Sequence, residues 1–344
     1  MKRPTHGTRS TTRTPRWEST MQQPVIAVLT GEGEALPPGL DTIADTAELR
    51  LANSREGLEQ ALPGADILLV TDFRTEMLAE CWPLADRLQW VHATSAGVDA
   101  LMFPGLQNSE IPITNARGIF DRPIAEFVLG LVLAFTKDLP ASVRYQDQHV
   151  WQHRETETIR DKRALIIGAG AIGREIGRML AAAGMRVDAV ARSARQDDPD
   201  FGRVHAQHTL LDHLPEADFV VVAAPLTDAT RGLFGHDAFA AMKPEARFIN
   251  IGRGPIVDTE ALVEALEADA IAGAGLDVFE EEPLPQGHPL WDFPQAILSA
   301  HMAGDVLGWQ EALTMQFLEN FRRWQSGDAL HNVVDKGRGY VPPG

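Results

Sequence analysis

Three short segments in the second half of the chain carry the side chains best suited to chemistry. They are Asn250-Ile-Gly252-Arg253-Gly254, Gly275-Leu-Asp277-Val-Phe279-Glu-Glu281-Glu282-Pro283 and Ser299-Ala-His301-Met-Ala-Gly304. An arginine fork can hold a carboxylate and polarise a carbonyl beside it. An imidazole titrates near neutrality, so it can give a proton to a forming alkoxide. A carboxylate next to an imidazole favours the protonated ring and fixes its orientation. Arg253, Glu282 and His301 together therefore suit the hydride reduction of a 2-oxo acid. Singly, each is ordinary. Arg253 sits in a Gly-flanked turn and could be a surface charge. Glu282 ends a run of acids, which is usually a solvated face. His301 is one of 11 histidines. Each segment follows a run that reads as a strand, and open α/β sheets bind ligands beyond the carboxyl ends of their strands. That rule brings the three onto one cleft.

The chemistry needs a hydride source, and the sequence offers a place for one. After a strand at 164–167 comes Gly168-Ala-Gly170-Ala171-Ile172-Gly173, then helical spacing through Ile176, Met179 and Leu180. In a strand–turn–helix context Gly168 permits the tight turn and Gly170 lets a pyrophosphate approach. Gly173 allows close helix packing, and the helix N-terminus faces the phosphates. At the end of the next strand an acid would bind a ribose 2′-OH, but Ala191 stands there, followed by Arg192, Ser193 and Arg195. Two guanidinium groups and a hydroxyl are what a 2′-phosphate needs. Asp188 lies mid-strand, too early to reach the ribose. NADP(H) is expected over NAD(H), with NAD(H) possible.

The elements that position these groups follow from hydrophobic spacing. Strands are expected at 25–29, 67–70, 89–92 and 111–114, with helices at 56–62 and 75–79. A long helix over 122–139, capped by Asp121 and with Pro123 in its first turn, is apolar nearly all round, which suits burial in a core or a homodimer. A second series places strands at 164–167, 187–191, 219–224, 247–251, 274–278 and 296–299, and a last helix at 311–324. The fold class is α/β with two doubly wound parallel sheets.

Bulk properties set limits. At 344 residues the chain suggests two domains, and 44% hydrophobic with 23% charged residues is globular composition. The longest apolar run, near 127–135, is too short to span a bilayer, so no membrane partner is expected. A net charge of −17 argues against nucleic acid. The lone Cys81 has no internal disulfide partner and no metal-ligand spacing, which suggests a reducing, cytoplasmic setting and no metal. Residues 1–20 are basic and rich in Ser and Thr without an apolar core. A transit peptide is one reading; the preferred one is a disordered tail or an over-long start, with Met21 the functional beginning.

From about Pro24 onward the chain resembles the D-isomer-specific 2-hydroxyacid dehydrogenases. The resemblance rests on Ser95-Ala96-Gly97-Val98-Asp99, Ala125-Glu126, the glycine loop, Ala224-Pro225-Leu-Thr227 with Thr230, and the three segments above. It implies a general acid/base at His301, its partner at Glu282 and a substrate-binding Arg253. It also implies a carboxylate nest from the backbone of Ala96, Gly97 and Val98. Asp277 would lie on the nicotinamide side, with Pro225, Thr230, Ile251 and Gly304 along the cofactor. A substrate domain of 21–117 and 302–344 would flank a cofactor domain of 118–301, with hinges near 115–118 and 300–304. Phe73, Arg74, Met102 and the loop near Trp291 are candidates for the substrate side-chain pocket. Glyoxylate and hydroxypyruvate are the leading substrates. The alternatives are a non-catalytic NAD(P)(H)-sensing protein on the same scaffold and a dehydrogenase of another substrate such as phosphite.

Overall fold

In a computed structural model of the chain, residues 23–72 and 76–342 are described. The tail at 1–20, Met21, Phe73 and Arg74 lie outside the described residues. Two compact units form. One contains the chain up to Thr94, 108–114 and 310–333; the other contains 95–107, 115–309 and 334–342.

The first unit is built on β1 (Val25–Leu29), β2 (Glu48–Ala52), β3 (Ile67–Val70), β4 (Trp90–Ala93) and β5 (Ile113–Thr114), all parallel, in the order β2-β1-β3-β4-β5. Strands β1, β3 and β4 are buried on both faces, as a helix-covered parallel sheet requires. Ser54 caps the helix Arg55–Ala61 by accepting from the Gly57 N–H at 3.1 Å. Ile26, Val28, Ile67, Leu69 and Trp90 pack with Phe317 and Phe321 from the last helix, Trp309–Ser326. Trp90 stacks on Phe317 with centroids 5.2 Å apart, and its indole N–H donates to Thr114 Oγ1 at 2.8 Å.

The second unit carries β6 (Arg163–Ile167), β7 (Arg186–Ala191), β8 (Val204–Ala206), β9 (Phe219–Val222), β10 (Arg247–Asn250), β11 (Gly273–Leu276) and β12 (Ala296–Leu298). Their order is β12-β11-β10-β9-β6-β7-β8, again all parallel. The order reverses between β6 and β9, the crevice where doubly wound sheets take their ligands. The expected α/β class with two doubly wound parallel sheets is therefore what forms. Phe234, Phe239 and Phe248 anchor this core, with Phe248 centroids 4.9 and 5.3 Å from the other two rings. Among the described residues no helix is long and apolar enough to cross a membrane.

Three expectations need correction. The long helix spans Asp121–Thr136, and its N-cap is Phe120, with no side-chain cap hydrogen bond. Asp121 is already helical, so it is not the cap. The helix stops short of 139 because Asp138 turns left-handed at φ 48°, and a second helix, Leu139–Asp147, starts there with Pro140 in its first turn. Apolar Leu139 had carried the periodicity across that break. Strands β2 and β8 were not expected. Both lie at sheet edges, where polar residues such as Glu48, Arg50 and His205 dilute the strand pattern.

Candidate active site

The site groups of the second unit hang from the carboxyl ends of its strands. The turn after β6 begins at Gly168, with φ 112°. A Cβ there would lie 2.7 Å from the Ala223 and Ala224 backbone, and one at Gly173 would lie 1.9 Å from the Gly168 carbonyl oxygen. At Gly170 a Cβ would meet nothing within 4 Å. The first and third glycines thus serve close packing, and the second faces open space. Gly170 is the N-cap of the helix Ala171–Ala182 and supplies no side-chain cap. The first-turn N–H groups, including those of Ala171, Ile172 and Gly173, form an anion-binding helix terminus. This cradle fits a dinucleotide pyrophosphate.

At the end of β7, Arg192, Ser193 and Arg195 are all exposed. Arg195 Nε donates to Asp198 at 3.3 Å, and Asp198 is also gripped by Arg174 at 2.7 and 2.8 Å. The Arg174 hydrogen bond first, then the Asp200 N–H and the charges of Arg174 and Arg195, outweigh burial and hold the Asp198 carboxyl down at about 2. Arg192 is held differently, with its Nη2 donating to the Tyr340 hydroxyl at 3.1 Å. After β9, the buried Thr230 donates to the Pro225 carbonyl at 2.7 Å and accepts from the Thr227 N–H at 2.8 Å, closing that loop.

Two of the three chemical segments meet through Glu282 and His301. Of the consecutive acids, Glu282 takes His301: its Oε2 lies 2.7 Å from Nδ1, while Oε1 accepts from the Phe279 N–H at 2.8 Å. Glu280 accepts from the Thr259 N–H at 3.2 Å. Burial raises the Glu282 carboxyl, but hydrogen bonds from His301 and Phe279 and the charges of His301 and Arg253 outweigh it, leaving it below its ordinary value. His301 has a φ of 52°, an uncommon conformation for a non-glycine residue and one that clusters at functional sites. Asp277, which is buried, holds that bend in place. Its carboxylate accepts from Ser299 Oγ at 2.6 Å and from the Met302 and Ala303 N–H groups at 2.9 Å each, and its carbonyl accepts from the His301 N–H at 2.8 Å. Gly304 follows, packed against Phe120, and Ile251 is buried at the end of β10.

Arg253 is fixed by residues that spacing alone did not single out. Its Nε donates to Asp99 at 3.2 Å and its Nη1 to the Gly252 carbonyl at 2.8 Å. Buried Asn250 shapes the turn, accepting from the Gly252 N–H at 3.0 Å and donating to the Arg253 carbonyl at 3.1 Å. Asn115 Nδ2 donates to the Ala96 carbonyl at 2.6 Å, steadying the turn that includes Ala96, Gly97 and Val98. Asp99, Asn115 and Asn250 all stand in or beside segments already marked; Asn250 acts within its own turn, whereas the roles of Asp99 and Asn115 depend on chain-distant partners. Met102 is half-buried, and Trp291 is exposed with its indole N–H on the Pro285 carbonyl at 2.9 Å.

A depression of about 320 Å³ lies between Phe135, Arg144, Glu157, Arg247 and Gln295. Arg247 opens β10 and Gln295 precedes β12, so this hollow is at the amino ends of the strands, opposite to where such sheets bind ligands.

A dinucleotide cradle, an Arg turn and a Glu–His pair at the carboxyl ends of one parallel sheet define a nicotinamide-linked oxidoreductase of 2-hydroxy acids. Residues 129–303 match the family of D-isomer specific 2-hydroxyacid dehydrogenases, in its NAD binding domain. A glyoxylate reductase of Aeropyrum pernix is 33% identical over 262 residues, 73% of this chain and 78% of that one. A D-isomer specific 2-hydroxyacid dehydrogenase of Xanthobacter autotrophicus, solved with NADPH and MES, superposes with a TM-score of 0.78 at 30% identity, covering 93% of this chain and 100% of that one. An NADPH-dependent glyoxylate/hydroxypyruvate reductase of Sinorhizobium meliloti, solved with NADP and sulfate, gives 0.79 at 27%, covering 93% and 100%. The chain belongs to the D-isomer-specific 2-hydroxyacid dehydrogenase family.

Proposed function

We propose that this enzyme uses NADPH to reduce a small 2-oxo acid of the glyoxylate/hydroxypyruvate class to the D-2-hydroxy acid. The observation that carries the reading is the His301–Glu282 pair, 2.7 Å apart, in the same unit as Arg253 and the Gly97 turn. The bound nicotinamide supplies the hydride to the carbonyl carbon. Everything else falls to the chain. Glu282 holds Nδ1, so Nε2 is the nitrogen that gives its proton to the carbonyl oxygen. Arg253 pairs with the substrate carboxylate and draws density from the carbonyl. The N–H groups of Ala96, Gly97 and Val98 receive the rest of the carboxylate. Asp277 keeps the His301 bend in register on the nicotinamide side, and Pro225, Thr230, Ile251 and Gly304 line the cofactor. Arg192, Ser193 and Arg195 take the 2′-phosphate, which is the basis for NADPH over NADH. The names of the Aeropyrum and Sinorhizobium proteins support the substrate class and that of the Sinorhizobium protein the cofactor.

The unit carrying β6 to β12 is taken as the cofactor domain, in a cytoplasmic enzyme. Exposed Leu139, Val143, Val150 and Trp151 beside the long apolar helix support a homodimer; light scattering at the mass of a monomer would remove that part. The functional test is loss of reduced-nicotinamide absorbance with NADPH and NADH in parallel. The substrates are glyoxylate, hydroxypyruvate, pyruvate and a bulky 2-oxo acid. Preferential NADPH oxidation by the small acids is expected. Tight NADPH binding without turnover of any 2-oxo acid would overturn the reading.

A further inference from the structure

The C-terminal segment returns to the cofactor-domain edge at the place where the 2′-phosphate is assigned. Residues 335–340 close into a turn, with the Asp335 N–H on the Tyr340 carbonyl at 3.1 Å and the Gly339 N–H on the Asp335 carbonyl at 2.8 Å. Lys336 Nζ ties the turn to the Leu106 carbonyl at 2.8 Å. Arg117 Nη1 ties the following residues down through the Pro342 carbonyl at 2.6 Å and the Val341 carbonyl at 3.4 Å. All these groups belong to the second unit. What the turn presents is Tyr340. Its hydroxyl accepts from Arg192 Nη2 at 3.1 Å, and the Arg192 guanidinium lies 5.7 Å from the ring centroid.

We propose that Tyr340 is a positioning residue for cofactor choice, holding the exposed Arg192 guanidinium where a 2′-phosphate arrives. The proposal rests on the reading that Arg192 receives that phosphate. Arginine is flexible, and an exposed one loses rotamer freedom when it binds. A ring beside the guanidinium and an oxygen on one N–H remove much of that freedom beforehand, while the remaining N–H donors stay arranged for a bidentate pair with phosphate. The phenol oxygen accepts from Arg192, so its own O–H proton is left to donate to the same anion. Arg195, whose Nε is turned onto Asp198, has no such aromatic support among the described residues.

The test is calorimetric binding of adenosine 2′,5′-bisphosphate and adenosine 5′-monophosphate to the wild type, Tyr340→Phe, Tyr340→Ala and Arg192→Ala proteins. Tyr340→Ala should weaken the bisphosphate by about five- to tenfold, the scale of one exposed cation–π contact with one hydrogen bond, and leave the monophosphate within about twofold. Tyr340→Phe keeps the ring and should recover part of the loss. Equal weakening of both probes by Tyr340→Ala, or no weakening where Arg192→Ala does weaken the bisphosphate, would overturn the role of Tyr340 alone. If Arg192→Ala leaves the ratio of the two affinities unchanged, the 2′-phosphate assignment itself falls, and the role of Tyr340 with it.

Discussion

Nη2 of Arg253 lies so close to Gly97 that a Cβ on that residue would sit 2.1 Å from it. The glycine of the Ser95–Asp99 turn therefore leaves room for the guanidinium where it lies; its φ is not in the left-handed region, so space and not backbone conformation is what a larger residue would contest. The same turn supplies Asp99, the carboxylate that takes Arg253 Nε. One segment thus both admits the guanidinium and orients it.

Gly97→Ala should consequently move Arg253 while leaving the cofactor cradle alone. The expected outcome is a fall in kcat/KM for the 2-oxo acid of about a hundredfold, the scale set by a misplacement near 1 Å. Steady-state kinetics beside an unchanged melting temperature would establish this. A variant with normal kcat/KM would show that Arg253 does not need its present position.

Glu282 governs a different dependence. Its carboxyl lies below its ordinary value in the folded protein, because His301, Phe279 and Arg253 together overcome the burial that pushes it up. A depressed acid contributes its ion pair fully above the unfolded value of 4.5 and loses it as pH falls through the lower folded value. The wild-type kcat/KM should therefore hold on the acid side until below the ordinary carboxylate range. Glu282→Gln should reduce kcat at neutral pH by about a hundredfold and abolish that acid limb. A pH–rate profile of the variant superimposable on the wild type would remove Glu282 from the mechanism.

His92 makes a stability prediction in the first unit. It is wholly buried among Trp90 and Phe317, Nδ1 lies 2.7 Å from Thr114 Oγ1, and Nε2 has no hydrogen-bond partner among the described residues. Burial lowers its value from 6.5 to about 3. Below 6.5 the unfolded chain takes up a proton that the folded chain refuses, so stability is present above that pH and is lost as pH falls towards 3. Between about pH 7 and pH 5 this amounts to about 2 kcal/mol. Urea unfolding at both pH values should show that loss in the wild type and its disappearance in His92→Leu. Equal pH dependence in the two proteins would contradict the burial argument.

Much of this was legible in the sequence for physical reasons. Strands such as β3 and β9 are buried on both faces, so they appear as unbroken apolar runs. Gly168 and Gly173 are dictated by backbone contacts within one strand–turn–helix unit, which a local motif can report. The edge strands β2 and β8 were hidden because their residues are partly polar. The break at Asp138 was hidden because apolar residues continue beyond it. The pairings of Asp99 and Tyr340 went unrecognised because their partners, Arg253 and Arg192, are 154 and 148 residues away in sequence. No periodicity connects residues that far apart.

The most direct measurement of the central claim compares the wild type with His301→Ala, following NADPH oxidation by glyoxylate and, separately, NADPH binding by fluorescence. The account predicts rapid oxidation by the wild type, a kcat lower by about a hundred- to ten-thousandfold in the variant, and similar NADPH affinity in both. Near-normal turnover by His301→Ala would mean that the proton comes from another group.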